Sequence, residues 1–499
     1  MIPATNSLSI RSIAVIASSQ RTKSAMPNSP WASAPRSTPV EKARPSPVMT
    51  TTRTAGRAPI VATTSLRSRA KLASPALSTS GRSRVRRATG PVTSRRIVLG
   101  LAMSQWFTIK GLVTPLIVLL CLLSLSNTFS LGAFPAILPE LARGSGLADW
   151  QLGVVASAFG FARMTADIPI GLFLTHHLRR AVVIGPGVLA VGAAFLTSGG
   201  PFPILVLGRL LMGVGHALGM VAGLTAILHY RTGLRLASAL NAYEFSAMIG
   251  ILCGTVLIGV LPSSLAWNWA LLLTCAPQLI GLLALPALLR ALPRHPAPGP
   301  KPLFARQAAT GPDARAASIT PTAALAFVAG GAIAVAYSTV EQFAIPLRGS
   351  REFGLERAGV ARLLLVMQVF DIAALLPLGV LADRRGTGRV LVAVLLVMAG
   401  ASALVGFGTL PLVAAGCALY GLSMAGWMLP LGVLRRETPP EHVAWRTGLY
   451  RVCVDGGLFL GPFLAGLLGA GRARVLAGVW AVSLAVTSLP FFIRERRRS

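Results

Sequence analysis

The sequence predicts an all-α membrane protein with twelve transmembrane helices in two pseudo-symmetric halves of six, and with both termini in the cytoplasm. Three observations lead to this fold class: the composition, the number of apolar segments, and a repeat that relates each segment to the one six places later. Hydrophobic residues make up 53% of the 499 residues and charged residues only 12%. Such a balance is not that of a soluble globular domain.

The formal net charge of +32 is concentrated in the N-terminal part of the chain. Residues 1–110 contain eighteen Lys and Arg against one acid, Glu41, whereas the remainder contains twenty-nine basic and fourteen acidic residues. Residues 1–105 are rich in Ser, Thr, Arg, Pro and Ala and show no apolar period, so we expect a disordered basic tail.

Three interpretations of this tail stay open. Its composition is that of an organelle transit peptide, and its charge would also suit an arm that binds nucleic acid or anionic lipid. Alternatively, it is translated upstream sequence and Met103 is the true start. We favour the last interpretation because "MSQWFTIKGL" forms a compact basic flank directly before the first apolar segment.

A bilayer core requires about 20 apolar residues per helix, and this length divides the chain into twelve spans. The predicted spans are 113–137, 152–174, 181–198, 203–228, 238–261, 268–289, 322–346, 358–381, 390–408, 411–434, 448–469 and 474–493. With both termini inside, the inner flanks and loops contain twenty-two Lys and Arg and the outer loops seven, as the positive-inside rule requires.

The two halves of the chain share an internal repeat. "PIGLFLTHHLRR" (169–180) and "PLGVLADRRGTGR" (377–389) share a frame at an offset of 208, and "NAYEFSAMIGILCG" (241–254) overlies "GLYRVCVDGGLFLG" (448–461) at 207. The second alignment matches Tyr243 with Tyr450, Gly250 with Gly457 and Gly254 with Gly461. Near-constant offsets indicate two parallel six-helix halves, an arrangement found in secondary transporters.

On these motifs, residues 106–499 resemble a major facilitator superfamily (MFS) transporter. The signature of that family is the loop between spans 2 and 3 and its repeat between spans 8 and 9. The second copy fits well, and the first retains fewer of the signature residues. The matching positions are Gly379, Asp383, Arg384, Gly386 and Arg389 in the second copy and Gly171, Arg179 and Arg180 in the first.

The resemblance implies a division of the chain and a role for these two loops. The divisions are the tail 1–105, an N-terminal half 106–290, a cytoplasmic linker 291–320 and a C-terminal half 321–499. In the family, the loops act as latches that break and re-form as the halves rock. "LGRLLMGVGHALG" (207–219) resembles the family's span-4 motif, whose arginine would be Arg209. The pattern Gly-x-x-x-Gly-Pro of the antiporter subgroup occurs here in span 11 rather than span 5, so the subgroup stays open.

Ionisable side chains inside the bilayer are candidates for function, because each costs about 2.5–3.5 kcal/mol on insertion scales. Spans 3, 6, 9 and 12 contain none and should therefore face lipid. The eight candidates are Arg163, Asp167, Arg209, Glu244, Glu341, Asp371, Arg451 and Asp455.

Several of these charges can be paired on paper. Arg163 with Asp167, and Arg451 with Asp455, are neighbours at i,i+4 on one helix face. Across the repeat, Arg163 corresponds to Asp371, and Glu244 corresponds to Arg451. The sequence therefore also predicts ion pairs between the halves, which either exchange during transport or only neutralise the charges.

Two acids are left without a basic partner, and Glu341 and Asp371 are the candidates to exchange protons. Glu341 could instead lie in an outer vestibule as a solvated carboxylate. Further candidates for the substrate cavity lie on spans 1, 4 and 10, which line the cavity in the family, and His216 is also open to titration or to simple packing. These cavity candidates are Asn127, His216, Tyr420, Ser423 and Trp427.

The function predicted from these features is secondary active transport of a small organic solute, most simply proton-coupled export from the plasma membrane of a bacterium (its inner membrane) by a monomer. Proton-coupled uptake of an organic anion stays open because of the arginines, as does a membrane sensor without transport. No motif for nucleotide binding, hydrolysis or zinc occurs, so we expect neither an enzyme nor a cofactor nor a metal. The predicted partners are lipid, substrate and protons, and no nucleic acid is expected for the membrane domain.

Overall fold

The computed structural model describes residues 114–230, 236–292, 319–439 and 442–498, and these residues are almost entirely helical. The predicted tail, the start at Met103 and most of the predicted linker lie outside the described residues. The helices are α1 Pro115–Gly144, α2 Asp149–Thr197, α3 Phe202–Tyr230, α4 Leu236–Val260, α5 Trp267–Cys275, α6 Gln278–Ala291, α7 Pro321–Thr339, α8 Ile345–Arg351, α9 Arg357–Arg385, α10 Thr387–Phe407, α11 Leu410–Met424, α12 Leu429–Arg436, α13 Val443–Leu468 and α14 Ala473–Arg498.

Eleven helices within the described ranges are long and apolar enough to cross a membrane. They follow the predicted spans closely, and the predicted span 152–174 is the one that is not among the eleven. It forms the first part of α2, which leaves helical geometry at His177 (φ −128°, ψ 32°). Arg163 and Asp167 lower the mean hydropathy of this part, although it too is helical.

Local sequence explains where several helices begin and end. Proline occupies the first turn of α1 and of α7, where its missing N–H costs no hydrogen bond. The Thr320 side chain accepts a hydrogen bond from the Ala323 N–H and so caps α7. Gly386, with φ of +92°, separates α9 from α10, a backbone conformation that glycine adopts without strain.

Glycines let the helices of each half approach closely, in the manner of membrane bundles. A Cβ on Gly192 would lie 2.6 Å from the Met212 backbone nitrogen, and one on Gly215 would lie 2.5 Å from that of Leu189. These contacts join the second part of α2 to α3. The packing therefore requires glycine at these positions.

The internal repeat has the same structural role in both halves. Gly250 and Gly254 let α4 pack on α1, and the matched Gly457 and Gly461 let α13 pack on α7. The hydrogen bonds agree, because Thr128 Oγ1 donates to the Ala247 carbonyl across 119 positions and Ser338 Oγ to the Gly457 carbonyl across the same separation. Helices 207 residues apart are thus held by equivalent contacts.

We refer to residues 114–292 as the N-half and 319–498 as the C-half, and we name the two ends of the bundle after Asp149 and Arg179. The helices α2 and α13 run antiparallel and form one seam between the halves, and α4 and α9 form another. A Cβ on Gly153 would lie 2.6 Å from the Gly466 Cα, and one on Gly160 would lie 2.7 Å from the Phe459 nitrogen. The seam between α2 and α13 is therefore tightly closed from the Asp149 end inward.

Candidate functional site

Two ion pairs cross the seam between α2 and α13. Arg163 Nη2 lies 2.8 Å from Asp455 Oδ1, and Arg451 Nε lies 3.6 Å from Asp167 Oδ2. The carboxylates are the more buried partners, with 2% of the Asp455 side chain and 9% of the Asp167 side chain exposed. Each arginine thus pairs with an aspartate of the other half rather than with the i,i+4 aspartate of its own helix. Whether these ion pairs exchange during transport or only neutralise the charges stays a prediction.

The antiparallel direction of the two helices explains this exchange of partners. Each helix presents an arginine and an aspartate one turn apart, and facing residues have numbers that rise on one helix as they fall on the other. Arg163 thus meets Asp455, and Asp167 meets Arg451, both further from the Asp149 end than the glycine contacts of the seam. Spacing along one helix cannot reveal this register.

At the Asp149 end, two acids join the halves at positions related by the repeat. Asp149 Oδ1 accepts a hydrogen bond from Arg351 at 2.7 Å, and Asp149 Oδ2 accepts one from the Ala470 N–H at 2.8 Å. Glu356, which is 207 positions after Asp149, accepts a hydrogen bond from Ser263 Oγ at 2.8 Å. Ser263 in turn precedes Ala470 by 207 positions, so we call these contacts the paired locks.

Partial burial alone would raise the pKa of Asp149, but the hydrogen bonds from Arg351 and the Ala470 N–H outweigh it and lower that pKa. Glu352 behaves similarly, because the hydrogen bonds from Arg474 and Arg348 outweigh its burial and lower its pKa. Both carboxylates are therefore charged at neutral pH and stabilise the contacts that they make.

A third contact between the halves was not anticipated from the sequence. Arg357, the first residue of α9, has a fully buried side chain and donates to Glu140 at the end of α1, with Nη2 2.5 Å from Oε2. Its guanidinium also donates to the carbonyls of Pro262 and Leu265 at 3.3 and 2.6 Å. One arginine of the C-half thereby binds two elements of the N-half, α1 and the loop between α4 and α5.

At the Arg179 end, the ion pairs that the structure describes join elements of the same half. Arg389 Nε lies 3.7 Å from Glu495 Oε2, and Arg494 Nη2 lies 2.7 Å from Glu437 Oε1, all within the C-half. Arg179 donates to the carbonyls of Leu289 and Leu292 at 2.8 Å, where it caps α6 within the N-half.

The remaining residues of the predicted gating loops are at this end and are largely open. Asp383, Arg384 and Arg180 are exposed, and the structure gives Asp383 no hydrogen bond or ion pair among the described residues. A Cβ on Gly171 or Gly379 would meet no other atom within 4 Å. The latch role of these loops stays a prediction.

Of the two candidate acids of the C-half, Glu341 is buried and Asp371 is half-buried. Glu341 is 3% exposed and lies in a π-helical segment, Val340–Ala344, between α7 and α8. Its Oε2 accepts a hydrogen bond from Gln342 Nε2 at 3.2 Å. The alternative that Glu341 is a solvated carboxylate in a vestibule is therefore wrong. Asp371 on α9 is close enough to interact with Glu341 and has a buried Oδ1 without a hydrogen bond.

Sequence reasoning missed a neutral side chain in this cluster. Gln368 precedes Asp371 by three residues on the same face of α9, is 8% exposed, and has no hydrogen bond of ordinary geometry on either amide atom. Tyr420 on α11 is fully buried and its hydroxyl is also unpaired. The signal for Gln368 was its spacing from Asp371, which a search for charged residues alone overlooks.

The other predicted residues of span 10 are occupied by local structure. Ser423 Oγ donates to the Tyr420 carbonyl at 2.7 Å, within the last turn of α11. Trp427 lies in the turn between α11 and α12 and packs, partly buried, against the apolar core. The structure thus brings Tyr420, rather than Ser423 or Trp427, to the acids.

The candidates of the N-half form a separate polar group. Arg209 on α3 is 2% exposed and lies over the Phe134 ring, with Cζ 3.7 Å from its centroid. Its Nε and Nη1 have no hydrogen bond, and it belongs to none of the described ion pairs. His216 packs on Phe159, with 5.4 Å between ring centroids, and its Nδ1 is unpaired.

Two further predicted residues lie on the helices that border this group. Asn127 on α1 is 5% exposed, and its side-chain oxygen is unpaired. Glu244 on α4 is half-buried, and the arginines Arg451 and Arg163 lie near enough to attract its carboxylate. Glu244 therefore faces the ion pairs of the seam rather than the acids of the C-half.

Residues 120–367 match the family described as the Major Facilitator Superfamily. The chain belongs to the Major Facilitator Superfamily. Over 175 residues it is 26% identical to an uncharacterised MFS-type transporter of Mycobacterium tuberculosis, a match that covers 35% of this chain and 30% of that protein. The chain thus matches less than a third of the length of this relative.

Solved structures of superfamily members share the fold. The nucleoside transporter NupG aligns with a TM-score of 0.61 at 16% identity, over 76% of this chain and 99% of that one. A bacterial homologue of the human lysosomal transporter Spinster, in an inward-facing and unoccupied conformation, aligns with a TM-score of 0.62 at 16% identity, over 76% and 96%. At these identities the likeness establishes the fold of this superfamily member and not its substrate.

Proposed function

We propose that this protein is a secondary active transporter that moves a small organic solute across the membrane by alternating access. The observation that carries the proposal is the pair of ion pairs between α2 and α13. Charges buried at the contact of two bundles cost free energy in an apolar medium, so their presence there indicates a functional role. Pairs that can separate into water on one side suit halves that rock against each other.

The arrangement of contacts supports a particular state of this cycle. The paired locks and Arg357 join the halves at the Asp149 end, whereas the ion pairs described at the Arg179 end stay within the C-half. With twelve spans and both termini in the cytoplasm, the Asp149 end faces outward, and the excess of Lys and Arg near the Arg179 end supports this orientation. The conformation is then closed to the outside.

We further propose that Glu341 and Asp371 couple transport to protons and that the direction is export, from the inner membrane of a bacterium. A buried carboxylate without a basic partner can be neutralised by a proton. Glu341 is such a group, and the half-buried Asp371 lies near it in the C-half, on elements next to the seam with the N-half.

Vesicles test this proposal. Energised inverted vesicles that contain the protein and a lumenal pH dye should lose their acid lumen when a transported cationic or neutral compound is added. Glu341→Gln or Asp371→Asn should abolish the response. Vesicles that keep their acid lumen throughout a panel of cationic and neutral organics would overturn proton-coupled export.

A second candidate function is proton-coupled uptake of an organic anion, which the unpaired guanidinium of Arg209 favours. Accumulation of an organic acid by right-side-out vesicles, with no response in inverted ones, would support it. The acids would then act only in coupling, and the substrate site would lie in the N-half.

A further inference from the structure

We propose that Glu341 and Asp371, with Gln368 and Tyr420, bind the positive centre of a lipophilic organic cation. This inference rests on the proposed transport function and names its substrate class. It assigns to the C-half a defined site, which we call the cation cradle, at the junction of the π-helical segment with α9 and α11.

The first argument is the local geometry of Glu341. In the π-helical segment the Ile345 N–H donates a hydrogen bond to the Val340 carbonyl, five residues earlier. The helix therefore contains one extra residue at this turn. Such insertions are rare in proteins, and those that occur are often found at functional sites. The equivalent part of the N-half, around Phe134, is regular α-helix within α1. The distortion is thus specific to the segment that presents the buried carboxylate.

The second argument is uncompensated charge. Glu341 and Asp371 lie near enough to act on each other's charge, and neither takes part in an ion pair among the described residues. The arginines of the seam are matched with Asp455 and Asp167. A carboxylate buried as Glu341 is, with a half-buried second acid beside it, requires a cation or a proton for neutrality.

The third argument is that neutral polar atoms point to the same place and lack partners. The Gln368 amide lies beside the Glu341 carboxylate without a regular hydrogen bond. The Tyr420 hydroxyl is fully buried and forms no hydrogen bond of ordinary geometry, with Ser402 as its polar neighbour, and Glu341 is near enough to act on it. Buried polar atoms are normally satisfied, so an amide and a phenol left unpaired beside two acids indicate a missing ligand.

The fourth argument concerns the kind of cation. Tyr337, one turn before Glu341, and Tyr420 both lie beside the acids, and aromatic faces attract organic cations that are weakly hydrated. The close approach of α9 and α11 brings these groups together, because Gly421 packs directly on the Met367 backbone. A cradle of two acids and two phenol rings suits a large organic cation.

The repeat supplies the fifth argument. Glu341 corresponds to Phe134 at the offset of 207, and Phe134 is the ring under the Arg209 guanidinium. At related places, one half therefore holds an unpaired cation and the other an unpaired anion. A cationic substrate is expected to bind in the C-half and to be repelled by the N-half.

Equilibrium dialysis of the purified full-length protein with radiolabelled tetraphenylphosphonium tests the cradle. Tetraphenylborate has the same shape and the opposite charge, and it serves as the matched control. Wild type should bind the phosphonium and not the borate. Glu341→Gln and Asp371→Asn should each weaken binding about tenfold or more, the loss expected for one buried charged contact.

Control variants separate binding from folding. Glu341→Asp and Asp371→Glu keep the charge and should retain binding, and Glu495→Gln removes a carboxylate from the Arg179 end and should leave binding unchanged. Binding that is insensitive to Glu341→Gln and Asp371→Asn, preference for the borate, or no binding by folded wild type would each overturn the proposal. Displacement of the phosphonium by sodium chloride but not by choline chloride would also overturn it, since the site would then be a sodium site.

These outcomes can be told apart from failure of the transport function. If neutral compounds discharge the inverted vesicles while wild type binds no phosphonium, the cradle is wrong and proton-coupled transport stands. If the phosphonium binds as described but no compound moves protons, the cradle stands and proton coupling fails.

Discussion

The Arg163 guanidinium lies 2.8 Å from the Asp455 carboxylate, although the two residues belong to helices of different halves. Asp455 is almost fully buried, whereas one fifth of the Arg163 side chain is exposed. The pair therefore sits at the boundary between a dry seam and an accessible region. A small separation of the helices would let water reach both charges.

We expect Asp455→Asn to impair transport and to lower the thermal stability of the protein. Removal of one member of a buried ion pair costs about 3–5 kcal/mol, and partial exposure of Arg163 places this case at the lower end. The exchange Arg163→Asp with Asp455→Arg should restore part of the stability. Thermal unfolding in detergent and vesicle transport measure the two effects.

A matched control for this pair is Arg389→Gln, which removes an exposed contact 3.7 Å long at the Arg179 end. Its effect on stability should be below about 1 kcal/mol. Equal losses from Asp455→Asn and Arg389→Gln would contradict the special role assigned to the seam.

The paired locks should hold the Asp149 end closed. We expect Asp149→Asn together with Glu356→Gln to shift the population toward a state open at that end, because contacts of both α2 and α9 with the opposite half are lost. Distances between spin labels at Ser145 and Arg472 report the shift. If the double variant and wild type gave the same distance distribution, the paired locks would not be needed to keep the Asp149 end closed. Other contacts, Arg357 among them, would then be sufficient.

The same end should respond to acid. The pKa of Asp149 is lowered by Arg351 and the Ala470 N–H, so its contribution is complete above the ordinary aspartate value of about 3.9 and is lost as the pH falls through the lowered value. The spin-label distances should therefore change below about pH 4 in wild type. In Asp149→Asn, this part of the acid response should be absent.

How far the sequence determines these features can be judged from particular residues. The repeat of Gly250 and Gly254 with Gly457 and Gly461 predicted equivalent helices, and the structure shows equivalent packing, because a contact between two backbones tolerates only glycine. Apolar length likewise predicted the helices. Both signals are local to one helix.

Partnerships between helices were less accessible. Arg163 with Asp167 satisfied the spacing rule within one helix, yet the antiparallel seam gives each residue a nearer partner across the interface. The contact of Arg357 with Glu140 depends on which elements meet, and no spacing in a single sequence encodes that. The break at His177 falls between the predicted spans 152–174 and 181–198, whereas the π-helical segment at Glu341 was outside the reach of apolar periodicity.

The closed seam predicts a strong effect of adding one methyl group. In Gly466→Ala, the new Cβ would lie 2.5 Å from the Gly153 Cα and 2.9 Å from the Asp149 carbonyl oxygen, and backbone atoms cannot move aside easily. We expect a loss of about 1–3 kcal/mol in stability, with wider separation of the Asp149 end. Thermal unfolding and the spin-label distances measure both.

Gly400→Ala is the control for that substitution, because a Cβ there meets no atom within 4 Å. Alanine is the better helix former by about 0.5–1 kcal/mol, so this variant should be at least as stable as wild type. If Gly466→Ala were as stable as Gly400→Ala, the halves would not be in backbone contact at this point.

Arg209 gives a final prediction, which also separates the two candidate directions of transport. Its guanidinium is buried over Phe134 and has no ion-pair partner among the described residues. Replacing even a buried ion pair by apolar side chains is often neutral or stabilising, and a buried charge without a partner has no ion-pair energy to lose. Arg209→Met should therefore unfold at a temperature equal to or higher than that of wild type.

If the protein exports a cation through the C-half, the variant should still bind tetraphenylphosphonium, because Arg209 is not part of the cation cradle. If it imports an organic anion, Arg209→Met should lose accumulation of the acid while Arg209→Lys retains part of it, and right-side-out vesicles measure this directly. A large drop in the stability of Arg209→Met would contradict the expected unfolding temperature, since it would mean that the guanidinium stabilises the N-half.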